Sequence, residues 1–217
     1  MSHSSVSHQK QVFRFLVYLA GMLFLALGIT LNTKAGLGAS AIVSVPYTIS
    51  QGTGLDFANL TLVTYCILVA AQFVIKGKKR TLTDLLQIVV SVVFTRFLAL
   101  FQVGISYQSG RFLSDLLVLF LGILFTGIGA AMTVDMRLVP NPGDGIVSSI
   151  ADRFHLELSL AKNCFDAGCV ILSLLIGLPF HHLFLGVGIG TILSMLFVGR
   201  VIAVFNQAAN GALSKLI

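Results

Sequence analysis

The chain has 217 residues, 56% of them hydrophobic and only 10% charged, with a mean hydropathy of +0.96. Soluble domains carry roughly 25% charged residues, so the composition excludes an ordinary soluble protein and leaves little outside the apolar runs for a separate soluble domain. The net charge of +6 sits at the ends of those runs, where membrane topology places it, so no nucleic-acid partner is expected.

Residues 1–11 are polar and rich in Ser and His, and a disordered cytoplasmic tail is expected there. No cleavable signal peptide is expected, because the apolar run that follows is too long and lacks a small-residue cleavage pattern. The first span is predicted over Val12 to Leu31, with Gly21 and Gly28 near one face, where they permit close helix contact. A break at Asn32 to Gly38 leads into a short helix, Ala39 to Ser50. The second span is predicted over Phe57 to Ile75 and stops at the basic stretch Lys76 to Arg80; the third is predicted over Leu82 to Val103. After a polar link at Ser106 to Arg111, the fourth span runs from Phe112 to Val134 and carries Gly122 and Gly129. The longest break in the chain follows, Pro140-Asn141-Pro142-Gly143-Asp144-Gly145, where prolines and glycines stop a helix. It opens a second short segment that ends near Phe154. The fifth span is predicted over Leu158 to Ile176 and the sixth over Leu183 to Phe205, with Gly186, Gly188 and Gly190 as helix-packing residues.

The two halves match in order. Gly21 and Gly28 align with Gly122 and Gly129 at a spacing of 101. Ala41-Ile42-Val43-Ser44 aligns with Gly145-Ile146-Val147-Ser148, and Arg96 with Arg200, at a spacing of 104. Each short segment is about 12 residues, roughly 18 Å as helix, too short for a standard span. Three spans per half with the N-terminus inside collect Lys10, Arg14, Lys76, Lys78, Lys79, Arg80, Arg137, Arg153 and Lys215 on the cytoplasmic side and leave Lys34 and Arg111 outside, a strong positive-inside bias. The expected fold is an all-α polytopic membrane protein of six transmembrane helices. They form two inverted three-helix repeats, residues 12–104 and 105–217, each with a short broken helix after its first span. That helix is either re-entrant and cavity-lining or flat at the interface.

Candidate site residues follow from that arrangement. Arg96 and Arg200 lie within spans, where an arginine costs about 2.5–3.5 kcal/mol on insertion scales; each must pair, snorkel or line water. Facing a cavity, they would favour an anionic substrate. Asp166 is the deepest acid, with Asn163 one turn earlier and Lys162 four residues before it, near the same face. It reads as a substrate-amine, cation or proton site, or as an internal ion pair. Thr64 stands in the equivalent region of the first half. Asn141 and Asp144 at the second break and Ser40 at the first complete the set, with Asp144 expected as a helix cap or a cation ligand. His181 and His182 sit in a turn, where solvation is the expected state. Cys66, Cys164 and Cys169 lie in apolar runs without ligand spacing, so neither a disulfide nor a metal site is expected. No cofactor motif and no nucleophile–base set stands out, so an enzyme is not expected.

The run Lys34-Ala35-Gly36-Leu37-Gly38 before one short helix, Asn141-Pro142-Gly143-Asp144-Gly145 before the other, and the chain length resemble the YczE/YyaS/YitT group of bacterial integral membrane proteins over nearly the whole chain. The resemblance implies the bacterial inner membrane and names no substrate. The function expected from the architecture is a secondary transporter of a small polar or anionic molecule with a midplane site at the repeat interface. A channel or facilitator, or a substrate-capture subunit or regulator that needs a partner, is the alternative. The expected partners are the lipid bilayer and a small molecule or ion, and a homodimer or a further subunit is left open.

Overall fold

The computed structural model describes residues 2–79 and 81–213. Arg80 and Lys215, two of the expected cytoplasmic charges, and the last residues to Ile217 lie outside the described residues. Eight α-helices follow one another: α1 (Ser2–Lys34), α2 (Ala41–Thr53), α3 (Phe57–Lys76), α4 (Leu86–Gly104), α5 (Phe112–Asp135), α6 (Pro142–Phe154), α7 (Leu158–Gly177) and α8 (Ile189–Leu213). No strand occurs among the described residues. Six of these helices, all but α2 and α6, contain stretches long and apolar enough to cross a bilayer. The chain is an all-helical integral membrane protein. Helix α1 begins at Ser2, so the polar stretch expected as a disordered tail is continuous with the first span.

The core is organised by α1 and α5, which cross in opposite directions. Gly21 lies against Gly129, Met132 and Thr133, and Gly28 against Gly122 and Thr126. Residues late in α5 therefore meet residues early in α1. Small residues on both sides let the backbones approach closely, which supplies the packing that drives association in lipid. At the same end the Arg14 guanidinium donates to the Met136 carbonyl at 2.6 Å and the Tyr18 hydroxyl to the Val139 carbonyl at 2.7 Å. Helix α4 packs on α1 and α3, and α8 packs on α5; α7 and α8 make no comparable contact.

The two short helices sit inside this frame. α2 packs on α7, α3 and α8; α6 packs on α3, α7 and α4. α2 runs alongside α7, with Thr48 sharing a hydrogen bond with Ser173 and Gly52 lying against Phe180. Both are held within the bundle rather than laid along its edge. The first break turns on Gly36 (φ +68°) and Gly38 (φ +104°), a left-handed region that favours glycine. A Cβ at Gly38 would also collide with the backbone of Gly188.

That contact corrects the sixth span, which starts at Ile189 rather than Leu183. Gly186 and Gly188 therefore lie outside the helix, although Gly186 still packs closely on Ser44 and Thr48 of α2. Both glycines belong to a non-helical strap whose backbone is hydrogen-bonded to the first break: Ala39 N–H donates to the Gly186 carbonyl at 3.0 Å, and Gly190 N–H donates to the Leu37 carbonyl at 2.7 Å. Backbone groups left unpaired by the break are satisfied there, as a low-dielectric interior demands.

Candidate functional site

The second break is organised by Asn141. Pro142 occupies the first helical position of α6, so the cap falls on Asn141, whose side chain accepts from Gly143 N–H at 3.1 Å. Asp144 therefore does not cap the helix; it sits in the first turn, where a carboxylate complements the helix dipole. Ser40 holds the corresponding position before α2 and makes no side-chain cap.

Both helix starts open onto one cavity of about 320 Å³. Its floor is the start of α2 (Ser40 to Val43) and the start of α6 (Asn141, Gly143, Asp144). One wall is α7, with Ser159, Lys162, Asn163 and Asp166. The opposite wall, from α1, α5 and α8, is largely apolar and includes Leu25, Ile29, Ala130, Val198 and Ile202. The void occupies the gap between α7 and α8. Asp144 is exposed to this void, whereas Asp166 is 5% exposed. The Lys162 ammonium lies 3.3 Å from one Asp166 oxygen. The other Asp166 oxygen is buried without a hydrogen-bond partner, as are the hydroxyls of Thr126 and Ser194 on the far wall. The Thr126 hydroxyl is enclosed in the α1–α5 seam against Gly28, whereas Asp166 and Ser194 join Asp144, Lys162 and Asn163 in the polar part of the lining; unpaired buried polar groups are costly, and this lining suits a polar molecule.

A second cavity, about 400 Å³, shares Asn141, Asp144 and Lys162 with the first and reaches Arg137, Pro140, Ser148 and Leu158. It forms a vestibule from the end of the bundle that carries Arg137 into the centre.

Five of the eight sequence-predicted residues, Ser40, Asn141, Asp144, Asn163 and Asp166, thus line one cavity. The other three do not. Arg96 is exposed and donates to the Asn59 side chain at 3.3 Å. Arg200 is exposed with its guanidinium 5.4 Å from the Phe197 ring centroid. Both arginines face away from the centre, so they do not supply the charge of the cavity. Thr64 lines a separate apolar groove of about 530 Å³ between α3 and α7, and its hydroxyl is spent on the Leu60 carbonyl at 2.9 Å.

Sequence reasoning missed the far-wall hydroxyls and the amides of Gln72 and Gln87. The latter are fully buried, exchange two hydrogen bonds of 3.1 Å each, and lean on α6 through a 3.2 Å bond from Gln72 to the Pro142 carbonyl. Two glutamines in apolar spans on either side of one loop were the available signal.

Residues 12–207 match the family of unknown function DUF6198, and the chain belongs to that family. It is similar to the uncharacterized protein YyaS of Bacillus subtilis (strain 168), 24% identical, covering 88% of this chain and 92% of the relative. It is also similar to an uncharacterized protein of Haemophilus influenzae (strain ATCC 51907 / DSM 11121 / KW20 / Rd), 28% identical over 87% of this chain and 81% of the relative. The uncharacterized membrane protein YczE of Bacillus subtilis (strain 168) is 23% identical over 89% of this chain and 86% of its own length. No solved structure matches the chain.

Proposed function

We propose that the protein is a secondary transporter of a small polar molecule, built from two inverted repeats, residues 12–104 and 105–217. The observation that carries this reading is the central cavity, where both short helices begin and Asp144, Lys162 and Asp166 come together. Broken helices meeting between inverted repeats are a recurring way to hold a transported molecule, and rocking of one repeat against the other gives alternating access.

The packing supports the repeat. When α1–α4 is laid on α5–α8, α1 on α4 becomes α5 on α8, and α2 on α7 becomes α6 on α3. Likewise α2 on α3 becomes α6 on α7, and α2 on α8 becomes α6 on α4; all of these pairs occur. The exception is α3 on α4, whose counterpart, α7 on α8, is parted. The cavity lies in that gap. On α8 it is lined by Ser194, Met195 and Val198. The positions 104 earlier on α4, Val90, Ser91 and Phe94, line a void of only about 10 Å³. One repeat is open where the other is closed. The alternate state would close α7 on α8 and part α3 from α4.

The vestibule leads to the end that carries Arg14 and Arg137. The positive-inside rule assigns that end to the cytoplasm, so the state described here faces inward, with both chain ends cytoplasmic in a bacterial inner membrane.

The test is side-specific thiol labelling. Met195→Cys and Ser91→Cys are placed separately in a background without Cys66, Cys164 and Cys169 and treated with a membrane-impermeant reagent from each face. A transporter exposes Met195→Cys to the cytoplasmic face and Ser91→Cys to the outer face, each at the expense of the other. Reaction of both from both faces favours a channel. A Ser91→Cys that never reacts favours a capture subunit or regulator.

A further inference from the structure

The central cavity carries enough chemistry to name a substrate class, an inference that rests on the transporter reading for the word substrate but not for binding itself. Three charged side chains line it, Asp144, Lys162 and Asp166, beside the phenol of Tyr65. Lys162 is paired with Asp166, and no described cation lies within ion-pair distance of Asp144. Two carboxylates against one ammonium leave an excess of one negative charge. The start of α2, which lacks a side-chain cap, offsets about half a unit of it, the size of a helix-terminus charge. The start of α6 offsets a further part, less than a free terminus would because the Asn141 side chain already satisfies one of its N–H groups. A small negative excess remains on the Asp144 and Asp166 side, and Arg96 and Arg200 do not line the cavity.

Hydrogen bonding points the same way. The free Asp166 oxygen is an acceptor without a donor, on a side chain 5% exposed. The unpartnered hydroxyl of Ser194, on a residue 2% exposed, accepts or donates as its partner requires. An inorganic ion would leave most of the 320 Å³ void unfilled. The apolar wall of Leu25, Ile29, Val198 and Ile202 instead suits a short hydrocarbon body.

We infer that the cavity takes a small organic monocation, a protonated primary amine on a short apolar body, with its ammonium group between Asp144 and Asp166. Lys162 is the internal counter-ion that holds Asp166 when the cavity is empty and yields it to the ligand. Its own side chain is half-exposed, so it can leave Asp166 for solvent without unpacking, provided the ligand's ammonium takes its place.

The experiment measures thermal stabilisation of the detergent-solubilised full chain by n-butylammonium, n-butyrate and zwitterionic 4-aminobutyrate at constant ionic strength. A ligand that binds the folded state raises the melting temperature with concentration. Butylammonium is expected to stabilise and butyrate not to. Asp144→Asn and Asp166→Asn each weaken the apparent affinity about tenfold or more, about 1.4 kcal/mol. Lys162→Gln tightens it, because the competing ammonium is gone. Asp152→Asn, exposed and outside the cavity, is the charge control and leaves affinity unchanged. Size-exclusion profiles screen the variants for folding, and Asp144→Glu, which keeps the charge, retains binding where Asp144→Asn loses it. Stabilisation by butyrate, by the zwitterion alone, or by none of the three overturns the inference, as does equal stabilisation of wild type and both Asp→Asn variants. Ammonium binding without side-switching in the labelling experiment removes the transporter reading and leaves this one standing; side-switching without ammonium binding does the reverse.

Discussion

Phe24 on α1 and Phe125 on α5 stack face to face, with ring centroids 5.7 Å apart and planes within 8° of parallel. They are 101 positions apart, the spacing that also relates Gly21 to Gly122 and Gly28 to Gly129. On the proposed repeat, each ring therefore packs on its own equivalent, which puts the pseudo-two-fold axis between them. Offset-stacked aromatic pairs contribute about 0.5–1.5 kcal/mol beyond their area. Phe24→Ala and Phe125→Ala are expected to destabilise by similar amounts. The double variant should lose less than the two single losses combined, by about that coupling energy. Denaturant titration of the purified variants checks both statements; unequal losses with no coupling would remove the pair from the seam.

The same seam predicts a sharp contrast between glycines. A Cβ on Gly28 would collide with the backbone nitrogen of Thr126, while one on Gly104 would meet nothing within 4 Å. Backbone cannot yield as a side-chain tip can. Gly28→Ala is expected to cost about 3 kcal/mol, the upper end of overpacking at a close contact, and to broaden or abolish the monodisperse peak in size exclusion. Gly104→Ala is expected to change the melting temperature little or to raise it slightly.

Much of this frame was legible in the sequence because glycines, prolines and charges punctuate it. The start of α3 at Phe57 and of α7 at Leu158, and the end of α6 at Phe154, fall where expected, since capping and turn chemistry is local. The start of α8 was not legible. Gly186 and Gly188 sit among Leu, Phe and Val, and only the first break, far away in sequence, decides that their backbone pairs with it rather than with a helix. The arginines misled for a related reason. A lone Arg in an apolar span shows that something must satisfy it, not on which face, and Asn59 and the Phe197 ring do so outside the cavity. Hydroxyls carry still less signal. Thr30 and Thr61 return their hydrogens to the carbonyls of Ala26 and Phe57 at 2.9 and 2.7 Å, so a Thr in a span is ordinarily self-satisfied. That Thr126 and Ser194 are not emerges only in three dimensions.

The turn between α3 and α4 predicts a pH dependence. Asp84 is buried, which works to raise its carboxyl, but the Lys76 ammonium at 2.7 Å and the Thr81 N–H at 3.0 Å win and hold it below the usual range. A carboxylate whose folded value lies below its unfolded value of about 3.9 contributes stability that is fully present above that value and lost as pH falls through the folded one. The difference in melting temperature between wild type and Asp84→Asn is therefore expected to be constant from about pH 7 to 5 and to shrink below about pH 4. A difference that grows on acidification would contradict the pairing.

The buried part of the α3–α4 contact is fastened by an amide pair, with the Arg96–Asn59 bond at its exposed side. Gln72 and Gln87 exchange two hydrogen bonds, are almost wholly buried, and pack so close to α6 that a Cβ at Gly145 would lie 2.6 Å from one amide oxygen and 2.8 Å from the other. Removing one partner strands a buried amide, which costs about 1–3 kcal/mol, whereas replacing both with apolar groups of similar shape is nearly neutral. Gln72→Leu is therefore expected to destabilise the protein by that amount, with Gln72→Leu/Gln87→Leu recovering much of it. The Pro142 carbonyl, which accepts from Gln72 at 3.2 Å, keeps the recovery incomplete. The pair also bears on the proposed transport cycle. On that reading, parting α3 from α4 requires both amides to separate, and the Leu pair replaces directional bonds with contacts that slide. In the labelling experiment, the double variant is expected to raise Ser91→Cys reactivity from the outer face relative to the parent. Reactivity unchanged alongside restored stability would make the amides a packing feature of the bundle and not the fastening of its closed side.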